Sequence, residues 1–157
     1  MAALDGPSTK LASFLSRRLN NLLTSVEAHL KDTTTFLSFL EIINTAEITG
    51  FASLDVCSLY PSVPRYVDSN SNDKDVFVVT NEFLSIFAKD DEILSQITQQ
   101  DILNLIHLAL DEDYVLHQGK TYKQTNGLSM GNALAPQIAI IYINYIESEN
   151  ELMRILY

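Results

Sequence analysis

The hydrophobic period of this chain is helical over most of its length and falls to two in a single short segment. Alternation of apolar and polar residues around Gly119 predicts a β-hairpin over 114–123. In five longer segments the apolar residues recur at the three- and four-residue spacing of amphipathic helices; they are 8–30, 32–43, 76–88, 98–110 and 132–157. Together these patterns predict an α+β fold, in which helices pack on a small antiparallel sheet within one domain over 1–157.

Residues that favour helix ends support these boundaries. Asp32 is a good N-cap, Thr98 and Asp101 form a capping box, and Asn132 precedes a helix that tolerates Pro136 in its first turn. The Val-Phe-Val-Val opening of 76–88 also suits a strand, so that segment has two interpretations. The apolar stripes of the first two helices are expected to pack in the core; they consist of Leu11, Leu15, Leu19, Leu22, Leu23 and Val26, and of Phe36, Leu37, Leu40 and Ile43.

Composition and charge exclude several classes of protein. The single cysteine, Cys57, cannot form an internal disulfide and is expected to be a buried, inert thiol, and the three histidines lack the spacing of a zinc site. A net charge of −10 predicts a poor nucleic-acid binder by itself, with a solvated acidic face over 66–117. The longest apolar run, 133–143, is too short to cross a bilayer. We therefore expect a soluble, intracellular protein with no membrane association.

The segment 50–57 combines an apolar strand pattern with one acid, Asp55. Burying a carboxylate is costly unless it is paired or binds a metal. Two prolines follow, and Tyr60 lies in the turn that they stiffen. An acid for a metal, backbone amides after a strand and a fixed aromatic ring suit a nucleoside-triphosphate site; an ordinary aspartate at a strand end is the alternative.

A second segment, 125–131, is a loop with two glycines that leads into the last helix. Glycine lets the backbone approach a ligand closely, and a helix N-terminus favours anions. By itself such a G-x-x-x-G loop has low specificity.

Together and in this order, the two segments resemble the palm of a reverse transcriptase. Residues 51–64 are similar to polymerase motif A and residues 125–137 to motif B, in the form found in Penelope-like retroelements, with D-V-x-S-L-[FY]-[TP]-[NS]-[IV]-P and Met-Gly. The Y-K-Q-T-N-G end of the hairpin and the run from Ser25 to Leu37 resemble the same group. The resemblance assigns 8–48 to fingers and palm helices and 49–157 to the palm. Family B DNA polymerases share S-L-Y-P-S in motif A but differ in motif B.

The resemblance implies a role for each matching residue. Asp55 would be the catalytic metal-binding aspartate, with the Val56 carbonyl as a further ligand to Mg²⁺. The Ser58 and Leu59 amides would face the triphosphate, and Tyr60 would exclude a ribose 2′-hydroxyl. Met130 and Gly131 would contact the incoming nucleotide and the template base, and Gly127 would permit the loop. The implied partners are an RNA template, a DNA primer and a deoxynucleoside triphosphate.

Departures from the family pattern limit what this chain is expected to do. Asn132-Ala133 replaces Ser-Pro, and Ile140 replaces a polar residue. No aromatic-x-Asp-Asp sequence of motif C occurs in the 157 residues, and neither the thumb nor an R-P-I-V-S fingers segment is present. Two-metal phosphoryl transfer needs more carboxylates than motif A supplies. We therefore expect a reverse transcriptase fragment that is inactive alone; the alternative is a non-catalytic palm remnant, either a protein-interaction module or a decayed gene product.

Overall fold

A computed structural model describes residues 7–26, 29–43, 50, 53–68, 71, 73–111 and 114–150. Among these residues the fold combines helices with one antiparallel hairpin, so the α+β prediction is confirmed. The elements in chain order are α1 (Pro7–Leu22), α2 (Thr33–Ile42), α3 (Leu59–Ser62), α4 (Val76–Phe87), α5 (Gln99–Asp111), β1 (Tyr114–His117), β2 (Lys120–Lys123) and α6 (Ala135–Glu149).

The core lies between four helices rather than between helices and the sheet. Helix α1 packs on α5 and α6, and α4 packs on the same two helices. Leu15, Leu19, Ile106 and Ile138 are among the side chains that are almost completely buried there. All residues of β1 and β2 are exposed, so the prediction that the helices pack on the sheet is wrong.

The first predicted helix is confirmed but ends earlier than expected. Helix α1 ends at Leu22 and continues as a 3₁₀ turn over Leu23–Ser25, after which Val26 is extended. Its apolar stripe is buried as predicted, except that Leu11 is partly covered.

Helix α2 begins where the sequence predicts, but its apolar stripe is not buried. The Asp32 side chain accepts a hydrogen bond from the Thr35 amide at 2.8 Å and caps the helix. Phe36, Leu37 and Leu40 are nevertheless 43%, 54% and 37% exposed. The prediction that this stripe belongs to the core is therefore wrong, because within the described part of the chain no element packs closely against it.

The other helix predictions are confirmed with shifted ends. Residues 76–87 are helical, which decides against the strand interpretation. Thr98 and Asp101 form the expected reciprocal hydrogen bonds at the start of α5. Helix α6 begins at Ala135, not directly after Asn132, and ends at Glu149; the predicted extension into 151–157 lies outside the described residues.

The hairpin forms with the predicted turn. Tyr114 pairs with Lys123 and His117 with Lys120. Gln118 and Gly119 both have positive φ, at 48° and 74°, as a two-residue turn of this kind requires. None of the described helices is long and apolar enough to span a membrane.

Candidate functional site

The segment around Asp55 is exposed and irregular. Residues 53–56 have no regular secondary structure, and Leu54 and Val56 are 70% and 51% exposed. The predicted strand is therefore absent from 53–57, and 51–52 lie outside the described residues. Asp55 itself is exposed. Because water solvates its carboxylate, the cost of burial that pointed to a metal ligand does not arise for this side chain.

The chain turns sharply immediately after this segment. Ser58 has φ of 53° and ψ of 46°, a left-handed conformation that is uncommon for a residue with a side chain. Helix α3 follows at once over Leu59–Ser62, with Pro61 in its interior. Leu59 and Tyr60 are partly buried and pack against the core, so the turn delivers the tyrosine ring to a fixed position.

The motif B loop docks onto this short helix. The Leu128 amide donates a hydrogen bond to the Tyr60 carbonyl, with the two atoms 2.7 Å apart. Leu128 is buried, whereas Met130, two residues further, is 79% exposed. Successive Cα atoms are about 3.8 Å apart, so Met130 lies near Tyr60. A loop contact therefore brings the segment 58–62 and the loop 125–131 together.

Gly127 allows the two segments to approach this closely. Its φ is +71°, and a Cβ atom built at this position would lie 2.9 Å from both Cα and the carbonyl oxygen of Pro61. A side chain at this position would therefore be strained and would collide with backbone. The backbone conformation at this position therefore favours glycine.

Arg65 fastens the junction and was not among the predicted site residues. Its side chain is 2% exposed. The guanidinium donates from Nε to the Gly127 carbonyl at 2.6 Å and from Nη1 to the Leu110 carbonyl at 2.7 Å, and the Arg65 amide donates to Asn126 Oδ1. One buried cation thus ties the segment after α3 to the loop 125–131 and to the end of α5. The sequence feature that could have identified this residue is its isolation, since Arg65 is the sole basic residue between Lys31 and Lys74.

The far side of the motif B loop is also anchored. Asn132 donates from Nδ2 to the Ala109 carbonyl at 2.7 Å, and its Oδ1 accepts from the Leu134 amide at 3.0 Å. Met130 and Gly131 are both exposed between this anchor and Leu128. The loop therefore presents its tip to solvent from two fixed ends.

The residues present do not fit a two-ion metal site. Asp55 is the single acid within motifs A and B. No cluster of three or more His, Cys, Asp or Glu side chains able to hold a metal occurs among the residues that the structure describes. One carboxylate and one carbonyl cannot hold two ions, so these two segments do not form a two-ion site by themselves.

Cys57 is exposed, so the prediction of a buried thiol is wrong; it lies in the irregular segment before the Ser58 turn. On α6, Tyr142 and Tyr145 are partly buried and pack against the core, with ring centroids 5.9 Å apart and ring planes tilted by 55°.

An open pocket of about 320 Å³ lies beside the Arg65 clamp. The Phe77 and His107 rings stack there with centroids 3.5 Å apart. Burial lowers the pKa of His107 and outweighs the opposing influence of Asp75 and Asp111, so the neutral imidazole is favoured at this position. The pocket is lined by Arg65, Tyr66, Phe77, His107, Leu108 and Asp111.

Comparison of the chain with protein-family models, curated proteins and solved structures finds no match.

Proposed function

We propose that this chain is the part of a retroelement reverse transcriptase palm that addresses the incoming nucleotide, and that an RNA template and a DNA primer are its partners in the complete enzyme. The observation that carries the proposal is the contact between the two motifs. The Leu128 amide binds the Tyr60 carbonyl, and Gly127 lies against Pro61. A shared nucleotide site requires the two segments to meet although Tyr60 and Leu128 are 68 residues apart in the sequence, and this contact brings them together.

The implied roles follow from the resemblance and are compatible with the exposed surfaces of the junction. Asp55 and Val56 would contribute to a Mg²⁺ site, and Ser58, Leu59 and Tyr60 would face the nucleotide. Met130 and Gly131 would contact the nucleotide and template base. The buried contacts at Gly127 and Arg65 would hold these groups in position. Further carboxylates must come from outside the two motifs, so we expect the chain to show no primer extension by itself.

The proposal is tested in a fusion that supplies a motif C hairpin and a thumb. In that protein Tyr60→Ala is expected to raise the ratio of ribonucleotide to deoxynucleotide kcat/KM by about ten-fold or more, because a steric gate is removed. Tyr66→Ala is the matched control, since Tyr66 is an exposed tyrosine six residues away. An unchanged ratio in Tyr60→Ala would remove the sugar-gate role and with it the placement of the nucleotide.

Activity of the unfused chain is the second test. Primer extension with Mg²⁺ or Mn²⁺ should be undetectable for the 157-residue protein, and in the fusion it should disappear in Asp55→Ala. Template-dependent extension by the chain alone, lost in Asp55→Ala, would contradict the conclusion that the site lacks carboxylates.

A second candidate function is a non-catalytic protein-interaction module. The exposed apolar side chains of α2 favour it, because contiguous apolar surface commonly marks an interaction site. Sedimentation at increasing protein concentration distinguishes it: association that is lost in the double variant Phe36→Ser and Leu37→Ser would support the module. If the protein stays monomeric at all concentrations, self-association through α2 is excluded.

A further inference from the structure

A polar pocket of about 530 Å³ lies on the outer side of α1, against the first turn of α6. This volume is in the range of small-ligand sites. Helix α1 contributes most of the lining, and Gln137 contributes from α6; the lining residues are Ser16, Arg17, Arg18, Asn20, Asn21 and Gln137. None of these residues belongs to the contacts that join motif A to motif B.

The charge at this pocket is opposite to that of the chain as a whole. Residues 7–26 contain Lys10, Arg17 and Arg18 and no acid, so their charge is +3, whereas the net charge of the chain is −10. The acids concentrate in 66–117 instead. An anion approaching α1 therefore meets a local positive field, which the net charge conceals.

The guanidinium of Arg18 is incompletely satisfied. Its Nη1 lies 3.7 Å from Oδ2 of Asp91, longer than a charge-assisted hydrogen bond. Its Nε is buried and has no hydrogen-bond partner in the described part of the chain, which is unusual for a buried donor.

Asp91 pairs with Arg18 at 3.7 Å, and hydrogen-bond donors other than Arg18 also share its charge. Burial opposes ionisation of Asp91, but hydrogen bonds from the Leu94 and Ile93 amides and from Asn21, together with Arg18, lower its pKa. The carboxylate is therefore ionised and already hydrogen-bonded by groups other than Arg18.

The other lining groups are donors suited to an anion. The Ser16 hydroxyl donates to Oε1 of Gln137 at 3.0 Å, so the oxygen of this amide is engaged and its NH₂ group is the end that can donate to a ligand. Gln137 also lies in the first turn of α6, a helix of 15 residues whose N-terminal end carries a partial positive charge. Arg17 and Asn20 are exposed on the same side of α1.

We propose that this pocket binds a backbone phosphate of a single nucleic-acid strand. That the ligand is a nucleic-acid strand rests on the proposed function, because Gln137 is the last residue of the segment that resembles motif B. The preference for an anion rests only on the charge and donors of the pocket. Arginine forms paired hydrogen bonds with phosphate oxygens, and the amides supply further donors. The interaction involves few phosphates, so we expect weak binding at low salt with a shallow salt dependence.

The experiment measures fluorescence anisotropy of labelled oligothymidylate and oligouridylate with the full chain at several salt concentrations. Asn20→Asp places a like charge in the pocket, and we expect it to weaken binding about ten-fold or more. Arg17→Gln should reduce the magnitude of the salt slope by about 0.7, the value for one contact to a single strand. Arg18 is left intact because it pairs with buried Asp91.

Asn104→Asp is the matched control, because it introduces the same charge on the exposed surface of α5. Equal weakening by Asn20→Asp and Asn104→Asp would overturn the proposal, as would no binding at low salt. The proposal would also be overturned if inorganic phosphate bound and the oligonucleotides did not, or if poly-glutamate bound as tightly as the oligonucleotides. The sugar-selectivity test of Tyr60 has a separate readout, so failure of the proposed function there is distinguishable from failure of this pocket.

Discussion

Helices α1 and α2 carry similar apolar stripes, but α1 is buried and α2 is not. In α1, Leu15 and Leu19 are almost completely buried, whereas in α2 Phe36 and Leu37 are 43% and 54% exposed. Both helices form from local sequence. The difference is that α5 and α6 cover the stripe of α1, so an apolar period specifies a helix and its face but does not supply the surface that buries it.

The Arg65 junction and the β1–β2 hairpin show the same contrast between packed and exposed structure. The Arg65 junction is held by buried hydrogen bonds and by close backbone contact. The β1–β2 hairpin has the correct register and turn, yet every residue in its strands is exposed. Matched substitutions should therefore destabilise the packed regions more than the exposed ones.

A leucine pair tests the contrast between the two helices. Leu19→Ala removes a fully buried side chain from α1 and should lower the free energy of unfolding by about 2–5 kcal/mol. Leu37→Ala in α2, at 54% exposure, should change it by less than about 0.5 kcal/mol. Urea unfolding of both variants measures the difference. Equal losses would mean that α2 is covered in solution.

The two basic residues that bind near the end of α5 test the value of the buried clamp. Arg65→Gln should cost about 2–3 kcal/mol, since the carbonyls of Gly127 and Leu110 lose a charged donor. Lys123→Gln removes an exposed ion pair with Asp111 and should have little effect, because solvent screens such pairs. Hydrogen exchange at the Leu128 amide should accelerate in Arg65→Gln alone. Unchanged exchange would contradict its role in holding motif B.

A glycine pair separates backbone strain from steric collision. Gly127 and Gly119 have nearly the same φ, +71° and +74°, but a Cβ meets the Pro61 backbone at the first and open space at the second. Gly119→Ala should cost about 1 kcal/mol from the left-handed conformation, and Gly127→Ala should cost about 2–3 kcal/mol from strain and displacement together. Thermal unfolding checks this order; similar costs would show that the Gly127 contact relaxes easily.

Helix caps give the smallest expected effect. Asp75 accepts hydrogen bonds from the Phe77 and Val78 amides at the start of packed α4, and Asp75→Ala should lower global stability by about 1 kcal/mol. Asp32→Ala should reduce helicity in α2 but change global unfolding less, because α2 contributes little burial. Circular dichroism and urea unfolding separate the two outcomes. A larger global loss for Asp32→Ala would contradict the independence of α2.

The α2 cap also has a defined pH dependence. Hydrogen bonds from the Thr35 amide and hydroxyl lower the pKa of Asp32 below 3.8. Its stabilising contribution is therefore present above pH 3.8 and is lost as the pH falls through the lower pKa of the folded state. The loss of α2 helicity on acidification should be absent in Asp32→Ala.

Local interactions made several features predictable from the sequence. The Thr98–Asp101 capping box, the Asp32 cap and the positive φ at Gly119 depend on residues a few positions apart, and the structure contains all three. These interactions are completed within one turn or one hairpin, so sequence alone determines them.

The tertiary structure decided which side chains are covered and which distant groups contact each other. Sequence placed Asp55 in a buried strand and Leu37 in the core, yet both are exposed because no described element covers them. It gave no role to Arg65, whose guanidinium acquires one when Leu110 and Gly127 meet around it. An isolated stretch of chain fixes its own dihedral angles and faces, whereas burial and clamping require surfaces supplied by residues far away in the sequence.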